Sequence, residues 1–70
     1  MELVYVDSSN IDQVGYDTEL NELHIVFKKG RHYIYSNVPE HVYEGLMDAS
    51  SKGTFLNSTI KAGGYSYREE

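Results

Sequence analysis

The chain contains no cysteine, which excludes disulfides, thiolate nucleophiles and cysteine-ligated zinc. No apolar run approaches the roughly 18 residues of a membrane span, and the N-terminus has no signal-peptide anatomy. The expected setting is therefore cytoplasmic, with no membrane partner. Basic residues are also scarce: six stand against eleven acidic ones, a formal net charge of −5. That balance repels a polyanion at long range. The 70 residues suffice for one domain and not for two. What the chain has in quantity is aromatic: seven tyrosines and two phenylalanines. A domain this small, with no disulfide, must rest on aromatic burial at roughly 150–250 Å² per ring or on self-association that covers an apolar face.

Along the chain, Leu3 to Val6 reads as a short edge strand or an ordered tail. Asp7-Ser8-Ser9-Asn10 is a cluster of turn formers, with the serines bonding their neighbouring backbone. Ile11 to Asp17 reads as a strand with imperfect alternation: Val14 and Tyr16 share a face, Ile11 falls on the other, and a bulge at Gly15 could restore the register. After a turn at Thr18-Glu19-Leu20-Asn21 comes the clearest strand, in which Leu23, Ile25 and Phe27 alternate with Glu22, His24 and Val26. Lys28-Lys29-Gly30 predicts a three-residue hairpin loop with Gly30 left-handed, which sets Phe27 opposite Arg31, Ile25 opposite Tyr33 and Leu23 opposite Tyr35. A two-residue loop would flip Tyr33 and Tyr35 to the other face.

Pro39 then marks a change of period, at the first position of a helix whose stripe is Val38, Val42, Leu46 and Ala49, widened by Tyr43 and Met47. Gly45 within it points to a close approach to the sheet. Ser51 is placed to cap a second helix running through Ile60 and burying Phe55, Leu56 and Ile60. Ala62-Gly63-Gly64 is a joint, Tyr65-Ser66-Tyr67 is extended and could add to a sheet edge, and residues 68–70 are expected to be loose. The fold class is α+β: an antiparallel meander of three to four strands with two helices packed on one face, a ββββαα-like two-layer sandwich. The opposite face, with His24, Val26, His32 and Ile34, is expected to be uncovered.

These residues carry a resemblance. Val6-Asp7-Ser8-Ser9-Asn10-Ile11, Val14-Gly15-Tyr16-Asp17, Leu23, Ile25, Phe27, Gly30 and Tyr33-Ile34-Tyr35 resemble the KTSC domain family. So do Val38-Pro39-Glu40, Val42-Tyr43, Ala49-Ser50-Ser51-Lys52-Gly53, Phe55-Leu56-Asn57, Ile60-Lys61 and Tyr65-Ser66-Tyr67. The likeness runs from about Val6 to Tyr67 in one domain that takes in the whole chain, 1–70. It implies a small bacterial or phage domain, also found at the C-terminus of some lysyl-tRNA synthetases, with Tyr33-x-Tyr35 as the hallmark. Tyr33, Tyr35, Pro39, Ser51 and Gly53 are then family-motif residues with structural roles. No activity is established for such domains; the synthetase fusion implies RNA or tRNA as partner. The segment Lys61-Ala62-Gly63-Gly64-Tyr65 departs from its relatives in carrying less arginine, which weakens an anion-binding role there.

Four chemistries follow. RNA binding would use Lys28, Lys29, Arg31, Lys52 and Lys61, and requires these cations to converge on one surface near rings that can stack bases. A metal site is not expected: His24 and His32 sit diagonally on adjacent strands, about 7–8 Å apart, and His41 is remote, with no ligand spacing such as HxxxH. Catalysis is not expected either, because no nucleophile elbow surrounds Ser8 or Ser9 and a thin two-layer domain has little room for a pocket. Ser51-Lys52-Gly53 is likewise too short for a phosphate loop. No cofactor is expected. The alternative to RNA is a protein partner or a homodimer, through the uncovered face and Tyr65 and Tyr67.

Overall fold

The computed structural model describes all 70 residues. Five strands form one antiparallel sheet in sequential order: β1 (Val4–Tyr5), β2 (Ile11–Asp17), β3 (Glu22–Phe27), β4 (His32–Tyr35) and β5 (Tyr67–Glu69). Between β4 and β5 the chain makes α1 (Glu40–Asp48), α2 (Lys52–Phe55) and a π-helix (Leu56–Lys61), which together form the second layer. The α+β sandwich holds, with one strand more than the sequence shows.

The hairpin has the three-residue register. Leu23 pairs with Tyr35 and Ile25 with Tyr33, the Phe27 N–H donates to the Arg31 carbonyl at 2.8 Å, and Gly30 has φ +97°. Side chains of one parity therefore meet the helices. Ile11, Val14, Tyr16, Leu23, Ile25 and Tyr35 from the sheet pack with Val38, Val42 and Leu46 below α1 and with Leu56 and Ile60 of the π-helix. The Tyr16 hydroxyl donates to the Val38 carbonyl, and its ring stacks on Tyr43 at 5.3 Å. This fixes the entry of α1 over the sheet.

Four local expectations are corrected. The bulge lies between Ile11 and Gln13, not at Gly15, and it turns Ile11 to the core side with Val14 and Tyr16. Gly15 pairs regularly with His24; its lack of a side chain instead admits the N-terminal segment, since a Cβ there would lie 2.8 Å from the Glu2 carbonyl oxygen. Pro39, extended at ψ 148°, precedes the helix rather than opening it. Gly45 faces α2 and not the sheet, with the Phe55 ring 3.0 Å from where its Cβ would be. Ser51 does cap α2, accepting from the Thr54 N–H, but α2 passes after one turn into the π-helix, whose i→i+5 bonding carries Leu56 and Ile60 into the core.

Tyr67 adds to the sheet edge as its extended pattern allows, and Arg68 and Glu69, expected to be loose, continue the same strand as β5. Tyr67 pairs with Tyr35, Arg68 with Ile34 and Glu69 with Tyr33. Each side chain finds a partner: Tyr67 lies against the Tyr33 and Tyr35 rings, Arg68 reaches Glu22 at 3.0 Å and Glu69 reaches Arg31 at 3.6 Å. Arg68 thus crosses β4 beside Ile34, which is only 2% exposed. With Met1 to Leu3 over Gly15, the second face of the sheet is in part covered by the chain itself. It is not an open apolar surface.

Candidate functional site

Two short loops and one helix end build the site. The Ser8 hydroxyl accepts from the Ile11 N–H at 3.2 Å, closing the turn before β2. The Lys28 N–H donates to the Asn10 carbonyl at 2.9 Å, which ties that turn to the tip of the β3–β4 hairpin. The π-helix ends at Lys61, whose ammonium lies 5.8 Å from the centre of the Phe27 ring, within cation–π reach. Lys28, Lys29, Arg31 and Lys61 consequently line one groove with Ser9, Asn10, Phe27 and Tyr33.

At Tyr33 and Lys61 this groove continues into a depression lined by Tyr35, Tyr65 and Tyr67. No aspartate or glutamate lines either stretch. Tyr67 is 63% exposed, whereas Tyr35 is a core residue at 3%. Tyr33 stands between them, half-buried, its hydroxyl accepting from the Arg31 guanidinium at 3.1 Å. That bond, helped by Glu69, raises the Arg31 pKa and holds its charge in place. Burial, with Tyr67 and Tyr33 close by, raises the pKa of the Tyr35 phenol.

Four of the five cations singled out in the sequence are thus brought together. Lys52 is the exception: its ammonium donates to the Met47 and Ala49 carbonyls at 3.1 and 2.9 Å. It closes the C-terminal end of α1, a structural task. Among the motif residues, Ser51 caps α2, and Gly53 leaves room for the Asn10 side chain, 3.1 Å from where a Cβ would be. The family hallmark divides into a core residue, Tyr35, and a groove residue, Tyr33. The sequence suits Tyr65 and Tyr67 to a contact surface or a sheet edge; the fold sets them beside Lys61 in the depression, which their spacing alone does not show.

On the other face, His24 and His32 are diagonal as expected, but their rings converge. His24 Nδ1 lies 2.9 Å from His32 Nε2, and the Glu70 carboxylate lies 3.6 Å from His32 Nδ1. His24 is only 9% exposed, although it lies on the face expected to be uncovered. Burial lowers its pKa, and His32 lowers it further.

The five-stranded sheet, its single helical layer and the Tyr33-x-Tyr35 strand define a small α+β domain of known type. Residues 7–65 match the KTSC domain, and the chain belongs to the KTSC domain family. It is 36% identical over 67 residues to an uncharacterised protein of Stutzerimonas stutzeri, covering 96% of this chain and 94% of that one. A protein of Tsukamurella paurometabola is 39% identical over 56 residues, 80% of this chain and 84% of that one. The crystal structure of a KTSC domain protein from Yersinia pestis superposes with a TM-score of 0.91 at 37% identity, covering 99% of this chain and 96% of that one.

Proposed function

We propose that this KTSC-domain protein is a non-catalytic binding module that takes single-stranded RNA along the groove from the hairpin tip to the C-terminal tyrosines. The observation that carries the reading is the convergence of four of the chain's six lysines and arginines on a groove lined by no carboxylate, with Glu69 paired to Arg31 at its edge. Phosphates released from their counterions gain affinity from such a cluster. The exposed ring of Tyr67 and the half-buried rings of Tyr65 and Tyr33 offer stacking faces next to it, and base–aromatic stacking contributes about 1–3 kcal/mol per base. The net charge of −5 slows long-range approach without altering the local sign of the groove, because salt screens distant charges beyond about 8 Å at physiological ionic strength.

The test is an NMR titration of the labelled protein with a short oligouridine at low salt. Shifts should concentrate at Lys28, Lys29, Arg31, Lys61, Tyr65 and Tyr67. No shifts in that set would rule the reading out. A protein partner or homodimer is the weaker alternative, since Ile34 is buried and the second sheet face is crossed by Arg68. What favours it is Tyr67, 63% exposed on edge strand β5. Sedimentation velocity showing a concentration-dependent dimer that Tyr67→Ala abolishes would promote it.

A further inference from the structure

On the sheet face opposite the groove, the diagonal pair His24 and His32 is joined by Glu70, and the two rings converge. His24 and His32 lie on β3 and β4 with Nδ1 and Nε2 2.9 Å apart, and their ligand atoms and a carboxylate oxygen of Glu70 lie within 4.8 Å of one another. Two imidazole nitrogens on one tetrahedral zinc stand about 3.3 Å apart, given Zn–N bonds of about 2.0–2.1 Å. The observed pair is a few tenths of an ångström short of that separation, on strands whose register already aims both rings at one point.

Glu70 gives the cluster its direction. Its own N–H donates to the His32 carbonyl at 2.9 Å, which anchors its backbone beside the ring. Its carboxylate faces His32 Nδ1 at 3.6 Å. A carboxylate there favours the proton on Nδ1 and leaves the Nε2 lone pair turned toward His24, the usual outer-shell arrangement of a metal-binding histidine.

We infer that His24 Nδ1 and His32 Nε2 form a site for a borderline divalent transition-metal ion such as zinc, with Glu70 as positioning residue and water in the remaining positions. Without metal, the two rings share one proton between Nδ1 and Nε2. On binding, the His24 proton moves to its Nε2 and the ion takes the vacated lone pair, so no charged imidazolium forms. The site is independent of the RNA groove, which lies on the opposite face of the sheet and at the hairpin tip.

The experiment adds zinc chloride to the full chain at neutral pH, followed by histidine ring resonances and calorimetry. One ion should bind per chain, moving His24 and His32 while His41 stays in place. His32→Gln should lose binding while circular dichroism shows the fold retained. Glu70→Gln should weaken binding by roughly tenfold or more and, in the metal-free protein, reduce the Nδ1–H tautomer of His32. Absence of binding at millimolar zinc, equal shifts at His41, or unchanged affinity in His32→Gln would overturn the site. An unchanged tautomer in Glu70→Gln would overturn the role given to Glu70.

Discussion

Lys52 and Lys61 carry the same charge and are put to different uses. Lys52 is held by two carbonyls at the end of α1, while Lys61 lies over Phe27 facing the groove. Lys52→Ala should therefore lower stability by about 1 kcal/mol in urea unfolding and leave RNA affinity unchanged. Lys61→Ala should do the reverse. If Lys52→Ala weakened RNA binding as much as Lys61→Ala, the division between structural and binding cations would be wrong. Tyr35 shows the same logic in a neutral residue. Burial raises its phenol above the ordinary value, and burial with Glu40 and Asp17 nearby does so for Tyr16. A folded pKa above the unfolded one means that stability is intact below about pH 10 and falls as pH climbs through the folded value. Phenolate absorbance should show two late-ionising tyrosines. Tyr35→Phe should remove one and make the alkaline loss of stability shallower; seven tyrosines titrating together would contradict this.

At the level of elements, the β3–β4 hairpin does the most to place the site. Its loop needs Gly30 at φ +97°, so Gly30→Ala should cost about 1–2 kcal/mol by left-handed strain and loosen Lys28 and Lys29 at the tip. Thermal unfolding checks the first effect, and amide exchange at the tip checks the second. This hairpin was legible in the sequence because period-two alternation, a Lys-Lys-Gly turn and the gathering of Leu23, Ile25, Phe27, Tyr33 and Tyr35 all select one register. Other features were not. Gly15 carries the usual mark of a bulge, yet Asp12, where the bulge lies, carries none. Arg68-Glu69-Glu70 has the composition of a frayed end, and only its distant partners Glu22, Arg31 and His32 make it a strand. The π-helix left no trace in a pattern that an ordinary helix would also satisfy. For the site, three of the cations are neighbours in sequence and could be read directly. Lys61 joins them only through the packing of the helical layer on the sheet. The meeting of His24, His32 and Glu70 depends on ring orientation and on β5, and spacing reports neither.

Across the whole molecule, cations are concentrated in the groove, with Glu69 paired to Arg31 at its edge. The groove carries Lys28, Lys29, Arg31 and Lys61 without a carboxylate in its lining, although the chain is acidic by five charges. The second face carries the histidine pair, Glu70, and the Arg68–Glu22 ion pair. Net charge and local charge thus point to opposite expectations for a polyanion, and salt dependence separates them. The most direct measurement is the affinity of a labelled single-stranded RNA across a range of salt, for the natural chain and for Lys29→Ala with Lys61→Ala. Engagement of three or four phosphates predicts a slope of log K against log salt of about −2 to −3, made shallower by about 0.7 for each cation removed. An affinity that is absent at low salt, or a slope that the double substitution leaves unchanged, would contradict the account.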